Sequence, residues 1–229
     1  EMDFIEWNEY YESWYGGDLE VLRRNLEAIH AAFPGKPVVI SEYGYCACTA
    51  DRPEDDPRRV EILRTHNSVF RDHPWVGGLI FFDYNDYRTH LGDKGAGVLR
   101  QRVHGVVDVF GARKPSFQAL REESSPVESL KVRKVANAWV AAVRTRKTVP
   151  AYPLRGYTLR WVVFGKGGIP LERRGSPLPD LKPGAEFETH LEVGEKDVLR
   201  LSVDVLRPTG FSAATVTAEG TAQSRATST

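Results

Sequence analysis

The first half of the chain alternates between segments with the apolar period of a strand and segments with that of a helix. Strands are predicted at residues 2–8, 37–42 and 76–82, where β-branched and aromatic residues are concentrated. Two helices are predicted where apolar residues recur at helical spacing: Leu19, Leu22, Leu26 and Ile29, then Val60, Leu63, Val69 and Phe70. A short third helix is predicted to follow Lys114-Pro115 and to run through Leu120. This alternation predicts βα units and a parallel sheet.

The first predicted helix has recognisable signals at both ends. Asp18 precedes the first apolar residue of the helical pattern, which is the position of an N-cap. Pro34-Gly35 follows the last one, and both residues stop helices.

The second predicted strand ends at a side chain that could take part in catalysis. Val38-Val39-Ile40 is a continuous β-branched run, which predicts a strand buried on both faces. It stops at Ser41-Glu42-Tyr43-Gly44, so a carboxylate stands at the carboxyl end of a parallel strand. In (β/α)8 barrels the active site is built at that end of the strands.

The second half of the chain has a different period. From Ser125-Pro126 onward, apolar residues alternate with other residues, most clearly at Leu199, Leu201, Val203 and Val205. Together with turns such as Lys182-Pro183-Gly184, this alternation predicts an antiparallel β-sandwich. The small polar residues from Ala218 onward predict a disordered tail.

The predicted fold class is α/β plus all-β. A closed (β/α)8 barrel takes about 250 residues, whereas about 125 residues precede the sandwich. We therefore expect residues 1–125 to be the C-terminal portion of a TIM barrel, its last three units, with the first five missing. Residues 126–217 are predicted to form an immunoglobulin-like β-sandwich, and residues 218–229 the tail.

Composition narrows the function classes. The 31 basic and 31 acidic residues cancel, which gives no reason to expect a nucleic-acid or membrane-surface partner. No apolar run approaches the roughly 20 residues of a transmembrane helix. The chain does not begin with methionine, so we expect a processed or truncated start. Cys46 and Cys48 are expected to be free thiols, and they leave the cellular compartment open.

The order of four motifs resembles glycoside hydrolase family 2, the family of β-galactosidases, β-glucuronidases and β-mannosidases. The motifs are Asn8-Glu9-Tyr10-Tyr11 with Trp14-Tyr15, Ser41-Glu42-Tyr43-Gly44, Gly78-Leu79-Ile80-Phe81-Phe82 with Asp86-Tyr87, and Gly105-Val106-Val107-Asp108 with Arg113-Lys114-Pro115-Ser116. The resemblance covers residues 3–126 and extends more weakly into the sandwich, since several members carry a sandwich after the barrel. Each motif alone is weak, but four in family order and spacing are specific.

The resemblance implies a retaining β-glycosidase of the β-galactosidase or β-glucuronidase type. Glu42 occupies the position of the catalytic nucleophile, and Tyr10 that of a tyrosine that orients it by a hydrogen bond. Ordinary aromatic packing is the alternative for Tyr10. No metal or organic cofactor is required by that chemistry. The substrate contacts implied by the resemblance are Asn8, Trp14, Tyr15, Phe82 and Asp83.

Several of these contacts have structural alternatives. Trp14 and Tyr15 are expected to wall the sugar, although single large aromatic residues are more often core or loop anchors. Phe82 stands where family members often have tryptophan. Asp83 and Asp86 either bind sugar hydroxyls or satisfy loop backbone amides.

The acid/base partner is harder to place. Asn8-Glu9 looks like the family's Asn-Glu pair, but only 33 positions separate Glu9 from Glu42, enough for one helix and one strand. Glu9 is therefore interpreted as a decoy, and the acid is expected upstream of residue 1. This chain alone is expected to be inactive.

Substrate and partner remain open at this level. The asparagine–lysine pair of β-glucuronidases has no clean counterpart, because Gly92-Asp93-Lys94-Gly95 does not match it residue for residue. Four of the six histidines, His66, His73, His90 and His104, lack metal-ligand spacing. The expected partners are a carbohydrate substrate and either the missing N-terminal barrel half or a homo-oligomer partner. The alternative function is a non-catalytic carbohydrate-binding or interaction protein on the same scaffold.

Overall fold

The protein is represented by a computed structural model that describes residues 2–10, 16, 18–46, 56–89, 101–136, 138–194 and 198–220. The chain divides into two compact units, Glu1–Ser124 (unit 1) and Ser125–Thr229 (unit 2).

Unit 1 is built around a three-stranded parallel sheet. Its elements in chain order are β1 Ile5–Glu9, α1 Leu19–Ala32, β2 Val38–Tyr43, α2 Asp56–Arg71, β3 Val76–Phe81, β4 Tyr87–Arg88, β5 Gln101–Arg102 and α3 Ser116–Glu123. The sheet order is β1-β2-β3 with both pairings parallel, which confirms the predicted βα units. The sequence pattern did not predict the two-residue antiparallel pair β4–β5. Three strands do not close a barrel, so the TIM-barrel assignment stays a prediction.

The start of α1 follows from its cap. The side chain of Asp18 accepts hydrogen bonds from the backbone N–H groups of Glu20 and Val21, each at 3.0 Å. These bonds satisfy two of the N–H groups that a helix leaves without intrahelical partners, as predicted.

The two faces of the parallel sheet differ. Val38 and Ile40 are fully buried, and the ring of Tyr43 packs edge-on against Phe70 of α2 at 5.3 Å. On the opposite face Val39 is only partly buried, and Ile80 is 55% exposed. The expectation that the Val38-Val39-Ile40 run is buried on both faces is therefore wrong within unit 1. Parallel sheets are normally covered on both sides, and the described part of unit 1 supplies a layer on one side.

Unit 2 consists of two antiparallel sheets. Its strands are β6 Val127–Val135, β7 Ala138–Thr145, β8 Thr158–Phe164, β9 Pro170–Pro177, β10 Glu186–Leu191, β11 Arg200–Leu206 and β12 Ser212–Glu219. The strand orders are β10-β7-β6 and β12-β11-β8-β9. Alternate residues of both sheets share one apolar core that includes Trp139, Val143, Trp161, Val203 and Val205. This arrangement confirms a β-sandwich, while its immunoglobulin-like topology stays a prediction.

The predicted tail begins too early. β12 continues to Glu219, so Ala218 and Glu219 belong to the strand, where they pair with Leu201 and Arg200 of β11. Small residues can extend an antiparallel strand when a partner strand supplies the hydrogen bonds. The rest of the predicted tail, from residue 221, lies outside the described residues.

Candidate active site

The carboxyl ends of the three parallel strands meet at one edge of the sheet. Asn8 of β1 pairs with Glu42 of β2, and Tyr43 of β2 pairs with Phe81 of β3. The register shifts in both pairings just before these positions, between Trp7 and Asn8 and between Ile40 and Tyr43. Such irregularities re-aim side chains at the end of a strand. Glu42 therefore lies at the edge where βα proteins place their chemistry.

A hydrogen bond joins the first two strands at this edge. The hydroxyl of Tyr10 donates to Oε2 of Glu42 at 2.8 Å, and Tyr10 is only 3% exposed. Burial raises the pKa of Tyr10, and the hydrogen bond to Glu42 and the charges of Glu42 and Asp83 raise it further. The phenol therefore stays protonated and acts as a donor to the carboxylate.

Asn8 is exposed at the same edge. Its Oδ1 accepts a hydrogen bond of 2.8 Å from the hydroxyl of Ser41 on β2. This bond fixes the amide orientation, so the Asn8 NH₂ group is the part that faces away from Ser41.

Gly44 allows the backbone after β3 to approach the backbone after β2. The N–H of Phe82 donates to the carbonyl of Tyr43 at 2.8 Å, and a Cβ at Gly44 would lie 2.3 Å from the carbonyl oxygen of Phe82. The close packing of these two backbone segments therefore requires glycine at position 44. The ring of Phe82 contacts the rings of Tyr87 and His104, with centroids 6.2 and 5.4 Å away.

Asp83 is a second carboxyl group at this edge. It is partly buried, and among the described residues its Oδ1 has no hydrogen-bond partner. Burial raises the pKa of Asp83 to about 6, the charge of Asp86 adds to the effect, and Arg59 and Lys114 oppose it. This buried Oδ1 is therefore an acceptor whose hydrogen-bonding capacity the described residues leave unused.

Asp86 has a different role from Asp83. Its carboxylate accepts hydrogen bonds from Nζ of Lys114 at 2.7 and 2.8 Å and from the N–H of Gly105 at 2.9 Å. Asp86 and Lys114 are 1% and 3% exposed. Both oxygens of Asp86 are therefore occupied, and the residue stabilises the loop between β3 and α3. This is the structural role that the sequence analysis gave as the alternative to sugar binding.

A buried arginine ties the same loop to α2. Arg59 donates to the carbonyls of Val103 at 2.6 Å, Gly105 at 2.5 Å and Tyr45 at 3.1 Å, and to Asp56 at 3.1 Å. Asp56 in turn accepts from the hydroxyl and the N–H of Ser116 at the start of α3. Sequence reasoning missed this network, because Asp56 and Arg59 look like an ordinary surface pair at spacing three.

Glu9 points away from the site. Its Oε2 lies 2.9 Å from Nδ1 of His66 on α2, and Glu9 and His66 are 0% and 1% exposed. A carboxyl group without solvent access cannot exchange protons with a ligand at the strand ends. This burial supports the interpretation of Glu9 as a decoy.

Some predicted residues fall outside the described ranges. These are Trp14, Tyr15, Cys48, His90 and the segment 92–95. Cys46 is not part of a disulfide, and burial raises the pKa of its thiol. Within the described ranges, no three His, Cys, Asp or Glu side chains are grouped to hold a metal ion. No helix of the described chain is both long and apolar enough to cross a membrane.

Comparison with known proteins gives structural neighbours only. No family model and no curated protein sequence matches the chain. A crystal structure of an FMN-binding β-glucuronidase from Facaelibacterium prausnitzii L2-6 aligns at 17% identity with a TM-score of 0.46, covering 98% of this chain and 33% of that one. A β-glucuronidase from Ruminococcus gnavus in complex with uronic deoxynojirimycin aligns at 22% identity with a TM-score of 0.43, covering 52% of this chain and 22% of that one. The chain thus spans about a third of the first neighbour and about a fifth of the second.

Proposed function

We propose that this chain carries the nucleophile of a retaining β-glycosidase, which hydrolyses O-glycosidic bonds by double displacement. Glu42 is the nucleophile and Tyr10 orients it. The observation that carries this proposal is the 2.8 Å hydrogen bond from Tyr10 to Glu42 at the carboxyl edge of the parallel sheet. A nucleophilic carboxylate must stay ionised, and a hydrogen-bond donor favours the ionised form.

In this proposal the two carboxylate oxygens of Glu42 have different tasks. Oε2 accepts the hydrogen bond from Tyr10, which leaves Oε1 to attack the anomeric carbon. The attack forms a glycosyl ester and expels the leaving oxygen, which takes a proton from the acid/base group. Water, deprotonated by that group, then attacks the anomeric carbon and returns Glu42 as a carboxylate.

Several side chains are proposed as sugar contacts. Asp83 offers an oxygen without a hydrogen-bond partner among the described residues, suited to a sugar hydroxyl. The exposed Asn8 and the ring of Phe82 lie at the same edge. Trp14 and Tyr15 are proposed as further contacts on the resemblance alone.

The acid/base group is proposed to come from outside this chain. Glu9 is enclosed with His66, and the open face of the parallel sheet, marked by Asn8 and Ile80, is where further barrel strands would pack. The missing N-terminal barrel half or a second copy of the chain would supply the acid/base group and would also bury the open face of the parallel sheet. Glycosides with poor leaving groups should therefore not be hydrolysed by this chain alone.

The test uses substrates that need no acid. Dinitrophenyl β-glycosides with fluorine in place of the hydroxyl next to the anomeric carbon have a leaving group that departs without protonation, and the fluorine slows hydrolysis of the ester. We expect the intact mass to rise by one fluoroglycosyl group, mapped to the peptide that contains Glu42. Glu42→Gln should abolish labelling, and Glu6→Gln, an exposed carboxylate on β1, should not.

Two results would overturn the proposal. One is labelling that persists in folded Glu42→Gln protein. The other is saturable binding of the glycosides by the wild type without any labelling, which would favour the non-catalytic carbohydrate-binding alternative.

A further inference from the structure

Within the described residues, unit 2 has four edge strands, and three of them carry residues that discourage pairing with another strand. β10 and β6 border the three-stranded sheet, and β12 and β9 border the four-stranded sheet. An edge strand has backbone N–H and C=O groups without a ladder partner, and charges or prolines on the strand oppose the addition of another strand. These residues are Lys131, Arg133 and Lys134 of β6, Glu186 and Glu188 of β10, and Pro170, Arg173, Arg174 and Pro177 of β9.

The fourth edge strand, β12, lacks such residues over most of its length. Its sequence contains no proline, and its single charged residue is Glu219 at the end. From Ala214 to Glu219 its pairing with β11 is regular, so no bulge twists this part of the edge away. At the start of the strand the hydroxyl of Ser125 donates to the carbonyl of Ala213 at 2.8 Å. Beyond Ala213, the described part of the chain places no second strand beside β12.

Apolar side chains are incompletely covered along the same edge. Ala214, Val216 and Ala218 pack against the core of the sandwich but are only partly buried. Leu130 and Val132 belong to β6, which packs beside β12 on the facing sheet, and they are partly buried in the same way. The sandwich core is therefore partly open to solvent between β6 and β12.

A second copy of the chain fits this edge, because β12 is self-complementary about Val216. Two copies related by a two-fold axis at Val216 pair antiparallel, so that each residue lies opposite one equally far from Val216 on the other side. Val216 then faces its own copy, and the exposed Thr215 lies opposite the exposed Thr217. Glu219 lies opposite the uncharged Ala213. Thr–Thr pairs directly opposite each other stabilise antiparallel strands, and no like charges oppose each other in this pairing.

We propose that the outer edge of β12, residues 213–219, is a homodimer interface at which two copies join their four-stranded sheets into one. Pairing would give the backbone groups of this edge their hydrogen-bond partners and would cover Val216. The same operation on β6 would place cations opposite each other, and on β10 carboxylates, which destabilises paired strands. The edge contains no residue of the candidate active site, so this inference is independent of the proposed function.

The experiment measures association of the full chain by analytical ultracentrifugation over a range of protein concentrations. We expect the wild type to pass from monomer to dimer as the concentration rises. Val216→Lys and Val216→Glu each place two like charges opposite each other at the two-fold axis, so each should weaken dimerisation at least about tenfold. An equimolar mixture of the two variants should dimerise again, because the lysine of one copy then faces the glutamate of the other.

A matched control tests whether position matters. Thr189 is a partly buried residue of the edge strand β10, so Thr189→Lys adds the same charge at a different edge of unit 2 and should dimerise as the wild type does. The mixture separates loss of the interface from loss of the fold, because an unfolded variant would not regain association when the other variant is added.

Three results would overturn the proposal. A wild type that stays monomeric at every concentration would exclude a second copy and leave this edge to a strand of another protein. A dimer that persists in both Val216 variants would place the contact elsewhere, for example on the open face of the parallel sheet. Val216 variants that are both monomeric and fail to associate when mixed would contradict the two-fold pairing.

Discussion

The carboxylate of Glu9 lies 2.9 Å from Nδ1 of His66, and solvent reaches neither side chain. Glu9 immediately precedes Tyr10, so this contact ties the strand end that carries Tyr10 to α2. His66 also packs edge-on against Phe70, which contacts Tyr43, the neighbour of Glu42. One helix therefore supports both sides of the hydrogen bond between Tyr10 and Glu42.

Replacing Glu9 by leucine should destabilise unit 1 by about 3 kcal/mol, because His66 would lose its buried partner. Glu9→Gln keeps a hydrogen-bonding group and should lose about 1 kcal/mol. Urea denaturation measures both changes. Glu6→Leu on the exposed side of β1 is the control and should stay within about 0.5 kcal/mol of the wild type. Equal effects of the leucine substitutions at Glu9 and Glu6 would show that the Glu9–His66 pair contributes nothing.

Removing the hydroxyl of Tyr10 should slow the covalent step. Tyr10→Phe deletes the hydrogen bond to Glu42, and a bond to a charged group contributes about 1.5–3 kcal/mol. The rate of labelling by the fluoroglycosides should therefore fall roughly 10- to 100-fold. Tyr84→Phe, on a tyrosine that is 60% exposed, should label at the wild-type rate. An unchanged rate in Tyr10→Phe would assign that residue to packing alone.

A methyl group at Gly44 should displace the backbone around Phe82. The new Cβ would lie 2.3 Å from a backbone carbonyl oxygen, and overpacking of this kind costs about 1–3 kcal/mol. At Gly77 the nearest atom would be 3.6 Å away, so Gly77→Ala should be neutral or slightly stabilising. Chemical denaturation of the two variants gives the difference. A Gly44→Ala variant as stable as Gly77→Ala would contradict the close approach.

The Arg59 network should contribute strongly to stability. Arg59→Met leaves the carbonyls of Val103 and Gly105 without their donor and Asp56 without its cation, and should cost about 3–5 kcal/mol. Amide hydrogen exchange should rise in residues 101–107. Arg58→Met removes a solvent-exposed pair with Glu61 and should change stability by less than about 1 kcal/mol. If both variants lost the same small amount, Arg59 would have no more structural importance than a surface arginine.

Asp83 should make folding stability fall as pH rises. Its pKa is raised from 3.8 to about 6, so between these values the folded state binds more protons than the unfolded state. Above that window the free energy of unfolding of Asp83→Asn should therefore be about 1 kcal/mol larger than that of the wild type. The difference is this small because Asp83 is partly exposed to solvent. Denaturation midpoints measured from pH 4 to pH 7 provide the test. A wild type and a variant with parallel pH profiles would contradict the buried carboxyl.

His104 should make folding stability rise as pH rises, which is the opposite of the effect of Asp83. Burial lowers the pKa of His104 from 6.5 to about 4, with Arg59, Arg102 and Lys114 adding to the effect. Its contribution to stability is present above pH 6.5 and is lost as pH falls towards 4. His104→Gln should therefore flatten the acid side of the profile, whereas Asp83→Asn should flatten its decline towards neutral pH.

Local patterns determined much of the fold. The boundaries of α1, the three parallel strands β1, β2 and β3, and the alternation of β8 and β11 follow from periodicity and from Asp18, all of which act within a few residues. Parallel pairing of β1 and β2 follows from the helix between them, and it brings Tyr10 and Glu42 to one edge. The hydrogen bond between these two residues is what the resemblance to glycoside hydrolase family 2 implies; periodicity and pairing place the two residues at one edge but do not predict the bond.

The tertiary structure decided which charged side chains are enclosed. Glu9 stands in a motif-like Asn-Glu pair, yet the pleat turns it towards His66, 57 positions further along. Arg59, Lys114 and Arg102 resemble surface residues in the sequence. Their burial depends on contacts between segments that are far apart in the sequence, such as the contact between Asp56 at the start of α2 and Ser116 at the start of α3. Burial of a charge is set by long-range packing, and periodicity carries no information about it.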